Sequence, residues 1–394
     1  MPTLYRFGID PSDPSAKAIV PTPIVTDEIV EISWSSWCDL IYTVPDDVGR
    51  LRSRKYLGTS LDTKQKKDLE EFCWEHGSVH FFGTDMHEGV RGCLDGEEIH
   101  TYNTEAMRAK EGSMYRNSSF WKMRDSTNMA TMCSNGSVLF AEPQMIGHVA
   151  DLHDFRRYCN DWCYRDVKER RGIKIDEISP EKVASFGPTQ LVVNATTATA
   201  LDQEGRVYTR TTDPRYPACL GRAYTGTSMF EPVPYLSETR ITKIASGGYM
   251  TAAISEDGEL FLWGQANPGS KEELGVLHRL DYTSDAEEGK KTTIQSDAIA
   301  DDDVKCLAIH IHGRVATAYD VAVGFGHVLV AAKDDSGSHT VLAAGCGSEG
   351  QLGIPNISEY CEEFREVEGL RGNRVVQMEA SGWSSFVVTG EEVK

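Results

Sequence analysis

His148, His153, Cys159 and Cys163 are of the side-chain types that hold zinc, an ion enclosed by four nitrogen and sulfur donors. Zinc sites usually pair closer ligands, and both cysteines fall on or beside an apolar helical stripe, where a thiol behaves as a small hydrophobe. A buried structural role is expected, without a metal. Asp301, Asp302 and Asp303 could draw calcium or a basic peptide, but the run lacks the alternating ligands and the glycine of a dedicated calcium loop. It reads as a solvated acidic loop able to meet a basic partner. GCGSEG, Gly345 to Gly350, has the spacing of a dinucleotide-binding turn, yet Pro355 and two closely spaced glycines leave no room for the helix that would face a pyrophosphate. No G-x-S-x-G, H-E-x-x-H or Walker-type loop occurs, so no residue is given a catalytic or cofactor-binding role and no cofactor is expected.

What remains are aromatic side chains at strand ends. Trp34, Trp37 and Trp383 stand beside small residues where two short strands meet, and exposed aromatics there can anchor a partner. Two of them occupy one aligned position of a repeat, which equally fits packing between repeated units. Trp34, Trp37 and Asp301 to Asp303 are the candidate partner-binding residues.

Hairpins must position these residues. ITKIASGGYMTAAISEDGELFLWG, Ile241 to Gly264, reads as short apolar strands joined at Asp257-Gly258, a pair that supplies the positive φ of a tight turn. Placing Gly205, or Gly136, on Gly258 superposes further copies without gaps, and placing Gly382 on Gly248 superposes Val375 to Val388 on the first half. Ile29 to Tyr42 falls into the same register, with Trp37 where Trp383 and Tyr249 stand and His327 at that same position. Tyr319 to Gly353 and, more weakly, His80 to Tyr102 complete the set. Copies recurring at such intervals, with Pro- and Gly-bearing loops between them, predict the blades of an all-β propeller.

The chain ends predict how the ring shuts. The last copy stops at Val388-Thr389-Gly390 without a second hairpin half, and LYRFG, Leu4 to Gly8, matches LFLWG, Leu260 to Gly264, position for position. The two ends are expected to complete one blade, removing strand edges that would otherwise invite aggregation.

The inner glycines of ASGGYM and ASGWSS, the aromatic-Trp-Gly strand end and the loops closing on Leu-Gly (GCGSEGQLG, GQANPGSKEELG) resemble the repeat of the regulator of chromosome condensation family. The resemblance spans nearly the whole chain and is strongest from about Lys182 onward. It implies a seven-bladed β-propeller, which agrees with the copies above, and a structural hydrogen bond for His327. It also implies two functions. One is a non-catalytic interaction scaffold or adaptor; the alternative is guanine-nucleotide exchange on a small Ran-like GTPase, which needs differential binding and no catalytic group.

Some stretches exceed what loops need. Thr104 to Ser119 and Thr211 to Thr239 read as polar loops. Met145 to Arg171 reads as a helical insertion with Val149, Leu152, Phe155, Cys159, Trp162 and Val167 on one face, and Ala266 to Lys305 as an acidic surface loop. The chain is otherwise one domain over 1–394.

Composition bounds the partners. A net charge of −20 repels phosphate backbones and anionic membranes, so direct nucleic-acid binding is not expected and a protein with a basic surface is. No stretch approaches the roughly 20 apolar residues of a membrane span, and the N-terminus lacks a signal pattern. Ten irregularly spaced cysteines fit reduced thiols in cytoplasm or nucleus.

Overall fold

The computed structural model describes residues 1–45, 52–71, 79–95, 98–102, 118–122, 129–142, 145–160, 174–176, 187–270, 272–277, 293–296, 303–357 and 359–390. Among them the chain is built of antiparallel sheets, with α-helices only at Thr63–Glu71 and Leu152–Asn160.

Each sheet begins with an inner strand and steps outward along the chain. Glu31–Ser35 pairs with Asp39–Pro45 and then Arg52–Gly58. Val79–Thr84, Met129–Met132 and Pro188–Val193 each open a four-stranded sheet. Ile241–Gly247 opens a nine-stranded sheet in which Ile311 and Arg314 pair across a tight turn at His312-Gly313, so the outer strand Lys305–Ile311 runs directly into the inner strand Arg314–Val323. The remaining sheet joins the chain ends: Thr3–Asp10 pairs with Ser384–Thr389, Thr3 opposite Thr389 and Gly8 opposite Ser384, and it lies between Asp13–Thr26 and the strand pair that includes Val375–Ser381.

The inner strands touch in sequence order, from Glu31–Ser35 through Val79–Thr84, Met129–Met132, Pro188–Val193, Ile241–Gly247, Arg314–Val323 and Val375–Ser381, which touches Glu31–Ser35 again. The apolar clusters follow the same circuit. Leu4, Phe386 and Val388 pack with Ile32, Leu40 and Val44 between one pair of sheets, and Phe82 and Leu94 pack with Phe140 and Phe155 between another. No sheet buries its faces alone, so each depends on both neighbours for its core.

Three readings of the sequence change. Met145–Val149 is a strand, and the helix begins at Leu152; residues 161–173 lie outside the described residues. Val149, read as the first residue of the helical face, lies on this strand and joins Phe82, while Ile146 on the strand's opposite face joins Leu191. The stretch Ala266 to Lys305 is not all surface: Leu274, Val276 and Leu277 enter the core, and Thr293–Ser296 pairs with Lys305–Ile311, because this acidic stretch still carries an apolar LGVL. Within Thr211 to Thr239, Leu220, Phe230, Val233 and Leu236 are likewise buried.

Candidate protein-docking face

Inner strands turn back through two-residue hairpins at one end of the ring. Gly247 pairs with Met250 and Ser381 with Ser384, the N–H of Ser36 donates to the C=O of Asp39 at 2.8 Å, and the N–H of Gly324 donates to the C=O of His327 at 2.9 Å. Neighbouring tips are hydrogen-bonded to one another. Ala195 N–H donates to Gly248 C=O at 2.9 Å, Phe325 N–H to Gly382 C=O at 2.9 Å, Trp37 N–H to Asp85 C=O at 3.0 Å, and the Ser134 hydroxyl to Ala195 C=O at 3.1 Å.

These bonds correct the gapless register. Trp37 is a first turn residue, equivalent to Gly248, Phe325 and Gly382; Trp383 and Tyr249 are second turn residues; His327 is the first residue of the next strand, like Met250 and Ser384. Bulges near Ile32/Trp34 and Val375/Gln377 fall at different distances from their turns, so equal lengths of sequence do not mark equal positions. The Gly136 turn repeats the hydrogen bonds of the Gly258 turn, Gly136 N–H donating to Cys133 C=O as Gly258 N–H does to Ser255 C=O, yet it lies beside Ala195 at the inner-turn end. Turn chemistry is local, whereas the end of the blade it occupies is set by packing.

The tips carry a partly exposed aromatic rim. The Trp37 indole N–H donates to His87 C=O at 3.2 Å, and a Cβ on Gly382 would stand 2.3 Å from the Trp37 Cβ, so only glycine lets these tips meet. Phe325 and Trp383 meet edge to face at 5.6 Å, and Tyr216 and Tyr249 at 5.2 Å, with the Arg215 guanidinium 5.6 Å from the Tyr216 ring centre. Trp34 is half-buried and packs against the cluster of Ile41, Tyr56 and Phe81, away from this rim. Asp303 is exposed and borders a separate pocket beside Lys305; Asp301 and Asp302 lie outside the described residues. Among the described residues, Trp34, Trp37 and Asp303 thus stand in three separate surroundings.

The loop held by Trp37, Asp85 to Glu88, forms one wall of a 620 Å³ cleft whose other wall is the Gly136 turn and the start of the Leu152–Asn160 helix. Glu88 and Asp151 are exposed carboxylates on that cleft, joined by His87 and His153, and Glu88 also accepts from the buried Arg91 guanidinium at 3.1 Å. Asp151 also caps the helix, accepting from Asp154 N–H at 2.9 Å. Behind the loop, burial pushes the Asp85 carboxyl up to about 7 against hydrogen bonds from the Gly382 backbone and the Ser381 hydroxyl. Neither this loop nor the cleft is legible from the repeat, since the four residues between Thr84 and Gly89 replace its two-residue turn.

Polar pairs that could suggest chemistry are structural. Asp39, fully buried, accepts from the Tyr56 hydroxyl at 2.5 Å, the Ser60 hydroxyl at 2.6 Å and the Val90 N–H at 2.8 Å, tying two sheets together. His327 is also fully buried; the Ser385 hydroxyl donates to Gln351 C=O at 2.8 Å, so the 2.9 Å contact is donated by the imidazole Nε2–H. Burial pushes this imidazole down to about 3. Cys159 is buried in the apolar cluster of Phe140 and Phe155, and Cys163 lies outside the described residues. Among the described residues no group of three or more His, Cys, Asp or Glu side chains could hold a metal ion. At Gly345 to Gly350 the chain leaves a strand into a turn, Gly350 N–H donating to Gly347 C=O, and no helix follows.

Residues 338–388 match the family model of the regulator of chromosome condensation (RCC1) repeat. No curated protein sequence matches the chain. Among solved structures, the fold is similar to that of Prp20p from Saccharomyces cerevisiae, a protein described with its binding properties to Gsp1p and histones; the TM-score is 0.56 at 11% identity, covering 99% of this chain and 92% of that one. Yeast RCC1 (Prp20) bound to Kap60 gives a TM-score of 0.55 at 12% identity, covering 99% and 89%. At such identities the likeness is one of fold. Sheets arranged around a circuit of inner strands, together with the likeness in fold, give the chain the architecture of a β-propeller, with a regulator of chromosome condensation (RCC1) repeat matched at residues 338–388.

Proposed function

We propose that the chain is a seven-bladed propeller that serves as a non-catalytic docking platform, taking a basic protein on the face formed by its inner turns. Seven is supported by the circuit of inner strands, which divides the nine-stranded sheet at the His312-Gly313 turn, and by the return of Val375–Ser381 to Glu31–Ser35. The single observation that carries the docking reading is contiguity. Trp37, a large half-exposed aromatic, is fastened to the loop that presents Glu88 to the acidic cleft, so an apolar anchor and carboxylates lie side by side on a chain of net charge −20. A partner offering an Arg or Lys next to an apolar residue matches both.

The compartment that fits is cytoplasm or nucleus: the described cysteines are free thiols, and among the described residues no helix is long and apolar enough to cross a membrane.

A second reading, exchange of guanine nucleotide on a small Ran-like GTPase, draws on the similarity to Prp20p, described with binding properties to Gsp1p. Exchange would need only tighter binding to the empty GTPase than to the loaded one. Affinity purification with partner identification, run beside release of labelled GDP from a panel of GTPases, separates the two. Stoichiometric recovery of a non-GTPase with no acceleration of GDP release is the expected result; acceleration on one GTPase replaces the adaptor with the exchange factor.

A further inference from the structure

The loop from Asp85 to Glu88 leans out of its own sheet onto two others. Trp37 grips it from one, donating to the C=O groups of Asp85 and His87. The Asp85 carboxyl reaches the next, accepting from the Gly382 backbone and from the Ser381 hydroxyl, which is itself 2.7 Å from the Ser35 hydroxyl. Met86 Sδ stands 3.4 Å from where a Cβ on Gly382 would lie, so the loop rests on that tip.

The carboxyl end of this grip is poorly provided for an anion. Asp85 Oδ1 is buried without a hydrogen-bond partner. From Val375–Ser381 the charge that acts on it is Glu379, of the same sign. Lys243, which acts on Glu379, is already paired with Asp320. The Trp37 hairpin brings Asp39, which is occupied by Tyr56, Ser60 and Val90, and within the loop Glu88 pairs with Arg91 and faces the cleft beside His87. Burial, with Glu379 adding to it, thus holds the Asp85 carboxyl up at about 7. A sheltered carboxylate with one oxygen unserved and a like charge beside it costs more than the neutral acid, so proton binding and closure of the loop favour each other.

We propose that Asp85 is a proton-operated latch on the docking face: the neutral carboxyl holds the loop on Ser381 and Gly382 with Trp37 beside Glu88, and ionisation releases it. The consequence for a partner rests on the docking reading above. In an open loop the carboxyl returns to its ordinary 3.8, so closure is most favoured below pH 3.8, weakens as pH rises to about 7 and is level above that. A basic partner would meet a tighter face in mild acid than at neutral pH, the reverse of what an added negative charge alone would give.

Amide exchange on the full chain, corrected for the intrinsic pH dependence of exchange, tests the latch without any partner. Protection of the Trp37 N–H is expected to fall about 10-fold per pH unit between about pH 5 and 7 and then level off, as release of one proton implies. The Ala195 N–H, bonded to Gly248 between two other tips, should fall less. In Asp85→Asn the Trp37 profile should match that of Ala195. Should this variant fail to fold, His87→Gln takes its place, and the fall at Trp37 must survive it. Equal profiles at Trp37 and Ala195 in the wild type, a fall that persists in Asp85→Asn, or one that His87→Gln removes, would overturn the proposal. Such a failure leaves the docking reading standing, and absence of a partner leaves the latch measurable.

Discussion

The side-chain amide of Gln377 makes both of its hydrogen bonds to the backbone of Ile32, 345 residues away, accepting from its N–H at 2.8 Å and donating to its C=O at 2.7 Å. Gln190 does the same to the strand beyond it, accepting from Ile244 N–H at 2.9 Å and donating to Thr242 C=O at 3.2 Å. Each glutamine follows a bulge, between Val375 and Gln377 and between Pro188 and Gln190, that swings it toward the neighbouring inner strand. Polar residues on the inner strands thus fasten one sheet to the next instead of marking a catalytic channel. Asp320, at the same position, pairs with Lys243 across the gap between Arg314–Val323 and Ile241–Gly247.

Gln377→Leu leaves the N–H and C=O of Ile32 without these partners. An expected loss of about 1–3 kcal/mol follows from stranding sheltered backbone groups, read as a lower urea midpoint at unchanged slope. Gln190→Leu should cost a similar amount, and the pair should add, because the two clasps share no residue.

Gly8, Gly264 and Gly345 stand near the ends of equivalent strands with φ of 95°, 117° and 104°, and a Cβ on each would stand 2.2 Å from the C=O oxygen of Trp383, Tyr249 and Gly326 respectively. Alanine there meets both an unfavourable backbone region and a rigid carbonyl. Gly264→Ala is expected to cost about 2–4 kcal/mol, whereas Gly337→Ala, at positive φ but with nothing near its Cβ, should cost only about 1 kcal/mol. Thermal unfolding of the two variants checks the difference.

Asp39→Ala removes the shared acceptor of the buried Tyr56 hydroxyl and Val90 N–H. A loss of about 3–5 kcal/mol is expected, with faster amide exchange at Val90 than in Trp34→Ala, which empties only a half-buried position.

Two buried groups set opposite pH dependences. The Asp85 carboxyl sits at about 7 in the fold against 3.8 ordinarily, so its contribution is most favourable below pH 3.8 and is lost as pH rises toward 7. Asp85→Asn should therefore gain on the wild type across that window, with a ceiling of about 4 kcal/mol above pH 7, and the gap should vanish near pH 4. His327, held down at about 3 from 6.5, contributes fully above pH 6.5 and loses its contribution as pH falls toward 3. His327→Asn should flatten the acid limb of the stability curve; an unchanged limb would place the imidazole in solvent.

Much of this architecture is legible in the residues. Asp257-Gly258 and the Gly205 turn announce hairpins, and the match of Leu4–Gly8 to Leu260–Gly264 anticipates the pairing of Thr3–Asp10 with Ser384–Thr389, since all rest on local turn chemistry and alternation. The docking face is less so. Trp37 stands out as an aromatic beside a turn, but its true equivalence to Gly248 and Gly382 depends on where bulges fall, which no gapless superposition registers. Glu88, Asp151, Gln377 and Asp39 look like ordinary polar residues, because their partners come from other sheets and only closure of the circuit brings them together.

The face that binds can be read in one quantitative purification of partners from cell extract, using the wild type, Trp37→Ala with Glu88→Lys, and Asp257→Lys on an exposed turn at the opposite end. The double variant is expected to lose about 10-fold or more of a stoichiometric partner, as removal of a central aromatic anchor and reversal of a charge imply, while Asp257→Lys retains it; melting curves show all three folded, the double variant melting lower because Glu88 pairs with the buried Arg91. Retention by the double variant with loss in Asp257→Lys would put the partner on the other face and contradict the account.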